Sequence, residues 1–245
     1  MKDSIVAIIP ARYGSSRLPG KVLLEISGKP LIQHVYERAK EIDVFNDVVV
    51  ATDHKKVKDI IDSISGKAIL TSKDHPSGTD RLAEAARILG LASNVIVFNI
   101  QGDQPLVSKE VVKKIIDLIV SDPSIQMATA ACPLKKEDIN NPNRVKVVLD
   151  LKSRALYFSR SPIPYDRDGG GVFNCLRHLG LYVYRNEFLQ KFVSLSQGKL
   201  ERLEKLEQLR ALEHGYKIGV AVVDDAPLDV DTKEDFLQVK RILEG

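Results

Sequence analysis

The chain has 245 residues, 44% hydrophobic and 28% charged, with a net charge of only +3. That composition describes a globular protein long enough to bury a full core, and it gives no compositional case for nucleic-acid binding. Its two cysteines, Cys132 and Cys175, form neither a disulfide framework nor a metal-ligand spacing, so a reducing, cytoplasmic setting is expected.

The first apolar run, SIVAIIP (4–10), predicts a buried strand and is too short for a signal peptide. No run approaches the roughly 18 apolar residues of a membrane helix, so no membrane insertion is expected. After the strand comes PARYGSSRLPGK (10–21), which gathers Arg12, Arg17 and Lys21 with Gly14, Gly20 and two serines. It is not a Walker loop. Five residues separate its glycines where four are needed, and Val22 follows Lys21 where a magnesium-binding hydroxyl belongs. It is either a different phosphate grip or a solvated basic loop.

PLIQHVYERAKEI (30–42) predicts a helix with Leu31, Val35, Ala39 and Ile42 on one stripe. DVVVATD (47–53) predicts the second strand. HPSGTDR (75–81) reads as a loop and N-cap before the helix DRLAEAARIL, or as a small-residue loop that admits a base or ribose. NVIVFNIQGD (94–103) predicts the third strand, and SKEVVKKIIDLIVSD (108–122) a helix capped by Ser108. This alternation indicates a mostly parallel, doubly wound α/β sheet over about residues 1–125, whose ligands sit beyond the carboxyl ends of the strands. Polar residues follow each strand there: the basic loop, then Thr52 and Asp53, then QGDQP (101–105). Asp103 stands where a magnesium ligand is common, although Gly-Asp and Pro also punctuate turns.

Runs at 126–132, 144–150 and 217–223 predict a smaller sheet within about residues 126–225. Along RHLGLYVYR (177–185), His178, Tyr182 and Tyr184 share one face of an extended segment. Arg160 in YFSRSPIP is suited to a bidentate grip on a carboxylate. LERLEKLEQLRALEHG (200–215) places a leucine at every third position from Leu200 to Leu212 and predicts one helix ending at Gly215, as core or as dimer seam. The run Gly169–Gly171 is a closing loop or a plain connection. In DVDT (229–232), Asp231 or Thr232 caps the helix KEDFLQVKRIL, or Asp231 supplies a second carboxylate beside Asp103.

Together IPARYGSSRLPGK, VVVATD, SGTDRLAE, NIQGDQP, ALYFSRSPIP, RHLGLYVYR, LEKLEQLRALEHG and VDTKED stand in an order and spacing that resembles the 3-deoxy-manno-octulosonate cytidylyltransferase (CMP-Kdo synthetase) family over about residues 4–240. The resemblance implies one cytidylyltransferase domain over 1–245 with a Rossmann-like nucleotide-diphospho-sugar transferase fold. It has a nucleotide-binding half, a smaller sugar-binding and dimerisation part, and a C-terminal segment (226–245) returning to the metal site. It implies a homodimer that converts CTP and Kdo to CMP-Kdo and pyrophosphate for lipopolysaccharide synthesis, by Mg2+-assisted in-line attack of the anomeric hydroxyl. Position by position, Ala11, Arg12, Arg17, Lys21, Ser77, Gly78, Arg81 and Asp103 would meet the nucleotide. Arg12, Lys21 and Asp103 would be catalytic, and Asp103 and Asp231 would hold Mg2+. Gln101, Gln104, Arg160, His178, Tyr182, Glu207 and Gln208 would meet the sugar. One departure stands out: the family pattern after the metal Asp is Glu-Pro, and here it is Gln104-Pro105. A branch with this Gln acts on 8-amino-3,8-dideoxy-Kdo, which is the alternative substrate. A sialate-type acceptor is opposed by the YFSR, RHLG and LEQLR segments, and a non-catalytic binder by the paired carboxylates.

Overall fold

The computed structural model describes residues 4–14, 18–168 and 175–245. Arg17 and Gly169–Gly171 lie outside the described residues. In chain order the elements are β1 (Ile5–Ala11), β2 (Glu25–Ile26), β3 (Lys29–Pro30), α1 (Leu31–Lys40), β4 (Asp47–Thr52), α2 (Lys55–Ser63), β5 (Lys67–Leu70), α3 (Gly78–Ile88), β6 (Ile96–Asn99) and α4 (Lys109–Ser121). Then follow β7 (Met127–Pro133), β8 (Lys146–Leu149), β9 (Ala155–Ser159), β10 (Leu176–Arg185), α5 (Asn186–Ser194), α6 (Lys199–Glu204), α7 (Leu209–Glu213), β11 (Ile218–Val222) and α8 (Lys233–Glu244). The chain forms two compact units. The first takes in Met1–Val112, Arg185–Leu189 and Pro227–Gly245, the second Lys113–Tyr184 and Gln190–Ala226.

In the first unit β1 pairs in parallel with β4 on one side and β6 on the other, and β4 pairs in parallel with β5. β1, β4 and β6 are almost wholly buried, which is why they read as continuous apolar runs rather than alternating ones. The chain proceeds from β1 through β4 to β5 in one direction, then returns past β1 to lay down β6. The order reverses between β1 and β6, so their carboxyl ends flank the topological switch point where such sheets bind ligands. α8 belongs to this unit. Its Val239 packs with Ile26, Leu31 and Val230 in one buried cluster.

β6 is shorter than the run 94–103 suggests. Ile100 N–H still bonds the Ile8 carbonyl at 3.2 Å, but then the chain turns in against β1. A Cβ on Gly102 would stand 2.9 Å from the Pro10 carbonyl oxygen, so only glycine permits this approach.

In the second unit β7 pairs in parallel with β11 and antiparallel with β10, and β8 pairs antiparallel with both β9 and β10. The single helix expected over 200–215 is two, α6 and α7, broken at Lys205, whose φ of 53° is left-handed. Steps of three residues drift about 60° against the 3.6-residue turn, so five such leucines cannot form one stripe. Leu203 is accordingly 80% exposed while Leu209 is fully buried. Glu201 and Arg210 join the two helices through a buried pair of bonds at 2.9 and 2.6 Å. Both cysteines are free, buried thiols. Among the described residues no helix is long and apolar enough to cross a membrane.

Candidate active site

Two polar networks lie at the carboxyl edge of the first unit's sheet. The first fixes the start of the basic loop. Tyr13 N–H donates to Asp53 Oδ1 at 3.1 Å, and Arg81 donates to Asp53 Oδ2 at 2.9 Å and to Thr71 Oγ1 at 2.5 Å. The Tyr13 ring stacks on His54 at 4.1 Å. Arg81 is buried, so its guanidinium holds Asp53 in place instead of presenting charge to solvent. Ser77 is the N-cap of α3, accepting from Asp80 N–H at 3.1 Å, and Gly78 beside it is exposed. Ala11 is buried at the end of β1, and Arg12 after it is exposed.

The second network gathers Lys21, Asp103 and Asp231. Gly20 adopts a left-handed φ of 68° and sets Lys21 at the start of a short 3-10 turn. The Lys21 ammonium donates to the Asp103 carboxylate, to Asp231 Oδ1 at 3.2 Å and to the Val230 carbonyl at 3.0 Å. Val230 N–H donates to the Asp103 carbonyl at 2.9 Å, tying the C-terminal segment to the loop after β6. Thr232, not Asp231, caps α8, in a capping box with Asp235. That leaves the Asp231 carboxylate turned to Lys21. Gln104 is buried and donates from Nε2 to Asp229 Oδ1 at 2.7 Å, and its Oε1 has no donor among the described residues. Gln101 is half-buried in the same loop.

The donor set suits a hard divalent cation. Two carboxylates from separate segments already converge on one positive charge, and both remain partly open to solvent. Among the described residues no group of three or more His, Cys, Asp or Glu forms a cage. An ion here would be completed by phosphate and water, as Mg2+ usually is.

The sugar-side candidates, apart from Gln101 and Gln104, lie in the second unit. Thr129 Oγ1 lies 2.7 Å from the Leu181 carbonyl and 3.1 Å from His178 Nε2. With its one hydrogen given to the carbonyl, the hydroxyl accepts from Nε2–H, so the neutral ring keeps Nδ1 as an acceptor. Burial, assisted by the Arg177 cation, pushes His178 down to about 3. The His178 and Tyr182 rings lie 5.4 Å apart and those of Tyr182 and Tyr184 6.0 Å apart, so the shared face persists through the irregularity between Leu179 and Tyr182. Burial, Tyr184 and the Glu207 carboxylate hold the Tyr182 phenol well above its ordinary range. Gln208 is buried at the N-cap of α7, and its Nε2 has no acceptor among the described residues.

Arg160 is braced on three sides. Nε donates to the Glu204 carbonyl at 2.7 Å, one terminal nitrogen to Pro142 at 2.9 Å and the other to Lys205 at 3.3 Å. Two of the five guanidinium N–H groups remain for a ligand. The Glu204 carboxylate accepts from Arg160 N–H at 2.9 Å and from Ser159 Oγ at 2.6 Å. Lys146, fully buried in β8, donates to the Arg160 carbonyl at 2.6 Å and to the Asn141 carbonyl at 3.1 Å, and burial lowers its pKa. Thr129, Lys146 and Glu204 carried no local sequence signal, and Asp53 and Asp229 stood in stretches noted from the sequence but not as the partners of Arg81 and Gln104.

A parallel sheet with phosphate-suited cations and carboxylates at its switch point defines a nucleotide-binding α/β protein. The cytidylyltransferase family model matches residues 6–218, and the chain belongs to that family, an enzyme family of nucleotidyltransferases. It is 52% identical to the 3-deoxy-manno-octulosonate cytidylyltransferase of Syntrophobacter fumaroxidans over 98% of this chain and 96% of that one. It is 47% identical to the 8-amino-3,8-dideoxy-manno-octulosonate cytidylyltransferase of Shewanella sp. (strain W3-18-1), covering 95% of each. A CMP:2-keto-3-deoxy-manno-octonic acid synthetase solved with CTP superposes with a TM-score of 0.93 at 41% identity over 99% of both chains.

Proposed function

We propose that the protein transfers CMP from CTP to the anomeric hydroxyl of Kdo, releasing pyrophosphate. The observation that carries this reading is the end-to-end match to acid-sugar cytidylyltransferases, 52% identical over 98% of the chain. The geometry supports the chemistry. Asp103 and Asp231 would hold Mg2+, which when bound offsets charge on the triphosphate oxygens and orients the leaving group. Lys21 and Arg12 supply cations to the phosphates. The hydroxyl attacks the α-phosphorus in line: one P–O bond forms to the sugar, one breaks to pyrophosphate, and no covalent enzyme intermediate is required. In the second unit, the two remaining Arg160 N–H groups fit a sugar carboxylate, and neutral His178 accepts from a sugar hydroxyl. A homodimer working in the cytoplasm to supply activated sugar for lipopolysaccharide completes the reading.

A second reading, the 8-amino sugar as acceptor, is favoured by one observation. A protonated amine is better served by Glu than by Gln at position 104. Yet Gln104 donates to the Asp229 carboxylate, so this corner keeps one negative charge, moved to Asp229 and held there. Pyrophosphate release from CTP and Mg2+, with Kdo and 8-amino-Kdo run side by side, tests both. Release with Kdo alone supports the first reading and release mainly with the amino sugar the second. No release with either sinks both sugar assignments. Light scattering on the purified protein tests the dimer.

A further inference from the structure

A lysine ammonium carries three protons, and in Lys21 all three are engaged, by Asp103, Asp231 and the Val230 carbonyl. None is left for a phosphate oxygen. The two carboxylates are also those to which the proposed function gives the metal. One cation position therefore has two claimants. We propose that Lys21 is a built-in counter-ion of the Asp103–Asp231 pair, exchanged for the divalent cation when nucleotide binds.

The inference rests on the metal reading above and extends it to the state without nucleotide. Lys21 is built to move. It opens a turn of only three residues, directly after the left-handed Gly20, on a flexible unbranched stem. The Lys21 side chain is 14% exposed, Asp103 21% and Asp231 36%, so the pair is reached from the Asp231 side. Charge dictates the order of events. Among these three groups two carboxylates and one ammonium sum to −1, and the same carboxylates with a doubly charged ion sum to zero. If Lys21 left alone, Asp103 and Asp231 would lose the ammonium they share and their mutual repulsion would rise. An arriving metal ion releases it, and the freed ammonium then has a triphosphate to meet. Metal and nucleotide each make room for the other, which is positive coupling between the two ligands.

The test uses Mn2+ as probe, followed by electron paramagnetic resonance on the whole chain without sugar. Nucleotide-free wild-type protein is expected to bind Mn2+ weakly. Lys21→Met is expected to bind it roughly ten- to a hundredfold more tightly, because a charge-assisted contact no longer competes. With CTP present, wild-type binding tightens, and Asp103→Asn with CTP gives the reference for ion chelated by the nucleotide alone. If Lys21→Met binds no more tightly than wild type, while Asp103-dependent binding with CTP persists, the exchange is overturned and the metal site stands. If no Asp103-dependent Mn2+ appears in any state, the metal reading beneath it falls. Reductive methylation of wild-type protein, read by mass spectrometry, decides the matter without a variant. Lys21 should be modified faster at saturating Mn2+ than in metal-free protein, and an unchanged rate overturns the exchange.

Discussion

The two units hold their candidate residues by different means. In the first, Lys21 meets Asp103 across 82 residues of sequence and Asp231 across 210, and Arg81 meets Asp53 across 28, all through opposite charges. In the second, Arg160 rests on main-chain carbonyls, and His178 and Tyr182 are neutral. A carboxylate held by an ammonium is already partly desolvated, so in re-partnering with an incoming ion it is chiefly the ion that gives up water. A guanidinium braced by carbonyls and a neutral ring have no partner to trade, so they present a fixed shape. On the proposed function, the first arrangement would serve metal and phosphate, and the second would meet the sugar by outline and hydroxyl pattern.

The comparison breaks first at Asp103. Asp103→Asn should lower pyrophosphate release about a thousandfold or more while the circular dichroism stays that of the wild type. A fully active variant would remove the charge-based half of the contrast. Next comes Arg81→Met, which strands the mostly buried Asp53 carboxylate. Urea unfolding should show a loss of about 3 kcal/mol, and a loss near zero would mean the pair is ornamental. Glu204→Ala removes the acceptor for Arg160 N–H and Ser159 Oγ. It should raise KM for the sugar about tenfold and leave KM for CTP unchanged. Equal effects on both substrates would erase the division of labour.

The smallest effect concerns pH. His178 sits at about 3 in the folded protein against an ordinary 6.5, so the unfolded chain binds the extra proton between those values. Stability therefore falls as pH drops below about 6.5, by on the order of 1 kcal/mol between pH 7 and about 5.7 from this residue. His178→Gln should flatten that slope in paired urea titrations.

Much of the first unit was readable because local pattern and position agree there. Buried parallel strands show as apolar runs, and polar residues at their ends show as breaks in those runs. The approach of Lys21 to Asp103 follows from strand order once β1 and β6 are neighbours, whereas Asp231 arrives from outside the sheet, on the tract before α8. The buried Arg81–Asp53 pair was not readable, since two charges that cancel across 28 residues leave no periodic trace. The leucines of 200–212 misled for the opposite reason: a regular spacing that does not match the helical turn. The break at Lys205 is visible only as its left-handed φ, a conformation that a lysine does not advertise. Gln104 showed itself as a departure, but its meaning waited on Asp229, a residue 125 positions away.

The capping of α8 by Thr232 has a practical corollary. Asp229, Val230 and Asp231 reach Lys21 and Gln104 from a short tract anchored by α8, beyond the exposed Asp224 and Asp225. A single cut in that acidic stretch would sever the covalent link to two of Lys21's three partners, Val230 and Asp231, and to Gln104's partner Asp229, leaving Lys21 only Asp103 on its own side of the cut. Specific activity in any preparation should thus track the fraction of chains uncut in that stretch, and mass spectrometry across it is the quality control that makes batches comparable.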